Sequence, residues 1–193
     1  MSLDELNVEL LSCRRCPRLV EWRERVAREK RRAYRDWDYW GKPVPGFGDS
    51  RARVFVVGLA PGAHGSNRTG RQFTGDASGD FLYPALYRAG FASQPNSVSR
   101  EDGLILTNLY TSPVCRCAPP DNKPTPQAIN GILGNFSVKE HSMSFDHTAI
   151  YQVPSASWLV CSYHPSRQNT QTGRLTVEMF DQVWKTVRGL LER

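Results

Sequence analysis

The stretch that decides the fold runs from Arg53 to Gly90, RVFVVGLAPGAHGSNRTGRQFTGDASGDFLYPALYRAG. It opens on four apolar, mostly β-branched residues, Val54, Phe55, Val56 and Val57, which predict a strand buried on both faces and hence a parallel sheet. Gly58 ends the run, and a long glycine-rich loop follows. Asp76 and Ser78 are both good N-cap types. After them Phe81, Leu82, Ala85, Leu86 and Ala89 recur at helical spacing, until Gly90 supplies a left-handed stop. The unit reads strand, loop, helix. In an open α/β sheet ligands bind outside the carboxyl ends of the strands, where this chain places the loop and the Asp76 carboxylate. A loop of this length in a compact domain is either functional or a mobile connection. Neither G-x-G-x-x-G nor G-x-x-x-x-G-K-S/T occurs, which argues against a dinucleotide or a nucleoside triphosphate as ligand.

Working outward, 193 residues fit one domain, 1–193, large enough to bury a sizeable core. A formal charge of +6 favours a polyanionic partner without identifying it. No apolar run approaches the length of a membrane span, and the first residues, MSLDELNVELL, carry acids where a signal peptide carries bases. A soluble, cytoplasmic, monomeric protein is the expectation. Five cysteines, two of them as Cys13-x-x-Cys16, fit metal binding in a reducing compartment better than a disulfide framework, with ordinary thiols as the alternative. A metal would need further ligands, for which Cys115 and Cys117 are the candidates and Cys161 a distant third.

In chain order, Leu3, Leu6, Leu10 and Leu11 share one helical face, and the basic stretch from Arg14 to Arg35 predicts a second helix. That helix either lies along phosphates or is solvated by its own ion pairs with Glu21, Glu24 and Glu29. Trp37, Tyr39 and Trp40 suit core or lid positions, before a Pro/Gly connector. Leu104 to Thr107 predict a second strand and Trp158 to Cys161 a third. Between them, Ala118 to Pro126, APPDNKPTP, forms a stiff extended loop that carries Asn122. Ile129, Ile132, Leu133 and Phe136 give a short helical stripe, and no buried strand is legible from there to Trp158. Ser162 to Asn169 make a third polar loop. Thr176 then caps a helix whose apolar stripe runs through Met179, Phe180, Val183, Trp184, Val187 and Leu190.

Three strand-end loops therefore meet on one rim, with Asp76, Asn122 and His164 within reach of one pocket. A lone histidine at a strand end is more often structural, but a carboxylate and a hydrogen-bond donor together suit one class of reaction. Breaking an N-glycosidic bond builds positive charge on the sugar and negative charge on the departing base, as in glycoside hydrolysis. Asp76 is assigned to orient the attacking water and stabilise the sugar cation, and His164 to donate to the base carbonyl. Asn122 offers donor and acceptor together for reading a base, and serves turn geometry otherwise.

GLAPGAHGSNRTGRQFTGDASG, APPDNKPTP and YHPSRQNTQTGRLT, in that order, closely resemble the B-type (type 5) branch of the uracil-DNA glycosylase superfamily. The resemblance implies a three-layer α/β/α fold around a mostly parallel sheet, a structural 4Fe-4S cluster, and excision of uracil and related deaminated bases from DNA. It matches Asp76 and His164 to the roles above, Phe73 to the ring that stacks on the flipped base, and Asn122 to its Watson–Crick edge. By the same resemblance, Ala60 and Gly62 are base-binding candidates. With no acid in Gly58 to Gly62, they imply a pocket that also accepts hypoxanthine. Asn67, Arg68, Ser166 and Arg167 are candidates to grip phosphates or wedge into the stack. Cys13, Cys16 and Cys117 match three cluster ligands. The fourth is absent, with Cys115 a poor substitute, because relatives carry about thirty more residues after Pro126, including that cysteine and an interior strand. The other readings are a binding module that has lost catalysis and a chain that does not fold alone.

Overall fold

A computed structural model describes residues 2–125, 144–153 and 157–193. Helix α1 (Leu3–Leu11) is closed at its start by a capping box, in which Ser2 and Glu5 satisfy each other's backbone N–H groups. The Cys13–Cys16 turn leads into α2 (Pro17–Glu29), with Pro17 at the first helical position where its missing N–H costs nothing. The connector then contributes β1 (Phe47–Gly48), and Val54–Gly58 forms β2 as read from its sequence. The loop after β2 contains a buried turn of helix, α3 (Ser66–Thr69), before α4 (Ala77–Arg88) begins on its Asp76 cap and ends just ahead of Gly90 at φ 73°.

β3 (Leu109–Pro113) pairs in parallel with β2, Val54 opposite Leu109 and Gly58 opposite Pro113, and antiparallel with β1. The sheet order is β1-β3-β2. A separate hairpin joins β4 (Ile150–Val153) and β5 (Ser157–Val160). Helix α5 (Arg167–Gln171) follows, capped by Ser166, and α6 (Val177–Leu191) is capped by Thr176 as its sequence predicts. The core lies where α4 and α6 meet the sheet. Leu82, Tyr83 and Leu86 pack with Phe91, Leu109, Leu175, Phe180 and Trp184, and Val54 and Val56 close the layer from β2.

Three strand expectations need correction. β2 is not covered on both faces: Phe55 and Val57 are 57% and 56% exposed, because α4 and α6 pack only on the Val54–Val56 side. Leu104–Thr107 is not a ladder strand. Leu104 and Leu106 are buried, Leu106 forms an isolated antiparallel bridge to Ala92 instead, and Asn108, at φ 54°, turns the chain before the true strand begins at Leu109. The Asn108 Oδ1 accepts the Arg53 N–H at 2.8 Å, which locks that turn beside β2. Finally, the strand near Trp158 pairs with an unforeseen neighbour, β4, in antiparallel fashion, where no further strand was legible. β4 alternates exposed and half-buried residues and so carries no continuous apolar run. The α/β class stands, with a mixed sheet and a hairpin among the described residues. The stripe Ile129 to Phe136 and the junction at Pro126 lie outside them.

Candidate active site

Asp76 is both cap and candidate catalyst. One oxygen, Oδ1, accepts the Ser78 and Gly79 N–H groups at 3.0 and 3.2 Å and so fixes the start of α4. The other faces the loop: a Cβ at Gly65 would fall 2.2 Å from Oδ2, so only glycine leaves that oxygen its place. Burial raises the Asp76 pKa. Its two backbone hydrogen bonds oppose the rise, Asp80 adds to it, and His164 pulls the other way.

His164 enters from the loop after β5. The residue is exposed, yet desolvation by the groups packed around it lowers its pKa, with Asp76 partly opposing. The carboxylate and the imidazole each oppose the other's shift, as opposite charges do. The Phe73 ring lies 6.1 Å from the imidazole, tilted by 39°. Phe73 is itself held at φ 53°, a left-handed conformation unusual for a bulky residue and common at sites held by their surroundings.

That holding is visible. The Tyr83 hydroxyl donates to the Gln72 carbonyl at 2.9 Å, and the Thr111 hydroxyl donates to Gln72 Oε1 at 2.7 Å. Arg71 is pinned to Asp102 at 2.5 Å and to Ser97 at 2.7 Å, while Thr74 joins Ser97 at 2.6 Å. On the other wall, His147 stacks on Tyr163 at 5.0 Å. Its Nδ1 accepts the Tyr163 N–H, so Nε2 carries the proton and donates to the Met179 carbonyl at 3.3 Å. Sequence reasoning missed Gln72, Thr111, Tyr83 and His147, because each acts through a contact distant in the chain and none falls in a recognisable spacing.

The remaining candidates divide. Gly62 is half-buried beside Asp76 Oδ2, and Ala60 is half-buried on the way in. Asn122 sits exposed at φ 56° on a short 3-10 turn, and no side-chain hydrogen bond holds it among the described residues. Asn67 and Arg68 are 0% and 4% exposed, so as folded they do not face a phosphate. Asn67 Nδ2 donates to the Arg23 carbonyl at 3.2 Å. The Arg68 guanidinium lies over Tyr34 and Trp37, 4.0 and 4.1 Å from the ring centres, and donates to the His64 and Gly75 carbonyls. Both brace the loop from within. Ser166 caps α5, its Oγ accepting the Asn169 N–H at 3.3 Å, and Arg167 is exposed beside it. A cleft of about 510 Å³ lined by Arg14, Arg28, Trp40 and Lys42 involves none of the rim residues.

A 4Fe-4S cluster takes four thiolates. Cys117 is approached by Cys13 and Cys16, but its Sγ accepts a hydrogen bond from Arg23 Nη1 at 2.8 Å. Burial raises the pKa of Cys117, which Arg23 opposes, and burial also raises that of Cys115. Among the described residues no three or more of His, Cys, Asp and Glu converge to hold a metal ion. As placed, the donor set does not fit the cluster.

A model of the uracil DNA glycosylase superfamily matches residues 45–188. The chain is 49% identical to the type-5 uracil-DNA glycosylase of Thermus thermophilus over 202 residues, covering 90% of this chain and 91% of the relative. It is 42% identical to that of Mycobacterium tuberculosis over 219 residues, covering 98% and 82%. It is 40% identical to that of Pyrobaculum aerophilum over 205 residues, covering 93% and 89%. In the Thermus alignment this chain supplies 90% of its 193 residues, about 174, so about 28 of the 202 positions have no residue of this chain. A matched span of this length, with Asp76, His164 and Phe73 gathered inside it, makes the chain a member of the uracil DNA glycosylase superfamily.

Proposed function

We propose that this chain is a DNA glycosylase that flips uracil out of DNA and hydrolyses the bond between the base and C1′ of the sugar, leaving an abasic site. The observation that carries the reading is the approach of His164, from the loop after β5, to Phe73 and Asp76 of the β2–α4 loop. The flipped base stacks on Phe73, an interaction worth about 1–3 kcal/mol. As the glycosidic bond lengthens, the Asp76 carboxylate stabilises the sugar cation and takes a proton from the attacking water. The neutral His164 imidazole donates an N–H to the base carbonyl as negative charge grows there. Flipping costs less for a mispaired base, which favours uracil and extends the substrates to hypoxanthine. Arg167, exposed and first in α5, is placed to meet a flanking phosphate.

The sheet, with α4 and α6 on one face, is two layers of the three-layer single domain the resemblance implies. The shortfall of about 28 positions supports a chain shorter than its relatives, and we place the deletion after Pro126, at the cost of an interior strand. The chain acts as a soluble cytoplasmic monomer on DNA. No step here transfers an electron, and none uses the cysteines. The competing reading is a chain that binds DNA but has lost catalytic geometry. Asp76→Asn separates the two. If the reading is right, the variant binds a uracil-containing duplex like the wild type, while its excision falls by about 10²–10⁴-fold. Equal excision by variant and wild type contradicts the role of Asp76.

A further inference from the structure

Gln72 is only 2% exposed, yet half of its amide is unused. Its Oε1 accepts the Thr111 hydroxyl at 2.7 Å, which fixes the plane of the group from the β3 side. Its Nε2 lies against the end of β2, where a Cβ at Gly58 would meet it at 1.9 Å and would meet Phe73 Cζ at 3.0 Å. Amide nitrogen and ring tip therefore sit side by side over Gly58. Among the described residues Nε2 has no hydrogen-bond partner, and it is not among the unpartnered atoms sealed from solvent. A buried side chain thus presents two N–H donors beside the ring on which the base would stack. Asn122, the amide expected for this task, is exposed on its own turn.

Deamination has one outcome common to purines and pyrimidines: an exocyclic amino group, a donor, becomes a carbonyl, an acceptor. Cytosine N4 becomes uracil O4, and adenine N6 becomes the corresponding oxygen of hypoxanthine. A fixed N–H donor facing that position pairs with either deaminated base. Against either parent it meets another donor, and both lose their partners in a dry pocket. Ring size is not read by such a contact.

Building on the glycosylase reading, we propose that Gln72 distinguishes deaminated bases from their parents, its Nε2 donating to the carbonyl that deamination creates. Thr111 is the positioning residue, holding Oε1 so that Nε2 faces the base. Gly58 keeps the contact open, since any side chain there would displace the amide.

The test combines a variant with an altered substrate. Duplexes carry uracil opposite guanine, hypoxanthine opposite thymine, or 2-pyrimidinone, which is uracil without O4, and kcat/KM is measured for wild type and Gln72→Leu. A buried acceptor left without its donor costs about 1–3 kcal/mol, so Gln72→Leu should lose roughly 5- to 150-fold on both uracil and hypoxanthine. The loss caused by removing O4 should be large for wild type and absent for the variant. Wild-type rates in Gln72→Leu, or an equal O4 effect in both proteins, would overturn the proposal and leave the glycosylase reading intact. A folded wild type that removes no uracil overturns both. Melting temperatures report whether Gln72→Leu folds. If it does not, Thr111→Val with Gln72 in place gives the same reading, because losing the anchor should shrink the O4 effect, and an unchanged effect contradicts the proposal.

Discussion

At the scale of single residues, Asp76 joins two duties that pull against each other. As cap it accepts two backbone N–H groups, which favour its charge, and as a crowded carboxylate it resists ionising; crowding wins, so its pKa is raised. His164 is shifted the opposite way, which keeps the imidazole neutral at physiological pH. The pH dependence follows from these signs. kcat/KM rises as Asp76 ionises, above the usual carboxylate range, and stays level through the ordinary titration range of histidine, since neutral His164 is the working form. A fall in kcat/KM as pH rises through that range would identify imidazolium as the donor instead. Asp76 and Phe73 were legible in the sequence because a cap sits at a fixed offset from an apolar helix and the surrounding motif is long. Gln72 and His147 were not. Their roles come from Thr111, 39 positions along the chain, and from Tyr163, across the hairpin.

At the scale of elements, the loop between β2 and α4 is held by charge rather than by ladder bonds. Arg71 is nearly enclosed and its counter-charge is Asp102, which also accepts the Val98, Ser99 and Leu104 N–H groups. Burial alone would raise the Asp102 pKa, but Arg71 and those backbone donors override it and bring the value to about 2. The folded pKa lies below the unfolded one. Asp102 therefore contributes stability above the ordinary carboxylate pKa, and that contribution drains away as pH falls toward 2. Asp102→Ala leaves the Arg71 charge buried and unpaired, at a cost of about 3–5 kcal/mol. Denaturant unfolding at neutral pH should show that loss, shrinking in acid. A loss below about 1 kcal/mol would mean that Arg71 is not held as described. The helices α4 and α6 were readable because their periods and caps are local. The strand pairings were not, since Leu104 and Leu106 look like a strand but act as buried pegs, and β4 shows only half-buried alternation.

At the scale of the whole molecule, β2 is the exposed flank. Phe55, Val57 and Leu59 are solvent-facing, and among the described residues the β2 edge away from β3 has no ladder partner. Uncharged, β-branched edges of this kind template association. Phe55→Ser with Val57→Thr should raise the concentration at which light scattering first detects aggregates, at little cost in melting temperature. A drop of many degrees would show that the face is covered in solution. The cysteine site gives a second test. With Arg23 on Cys117 and no converging ligand set among the described residues, the purified chain should carry well under four irons per molecule by metal analysis. Four irons with matching sulfide would mean that the thiols rearrange to complete a cluster.

The most direct test of the central claim uses a labelled duplex with a single uracil, incubated with the full chain and then treated with alkali, beside the Thermus thermophilus relative. The account predicts strand cleavage at the uracil by the wild type and cleavage about 10²–10⁴-fold slower by Asp76→Asn. An intact duplex after incubation with a folded wild-type chain, while the relative cleaves, would contradict it.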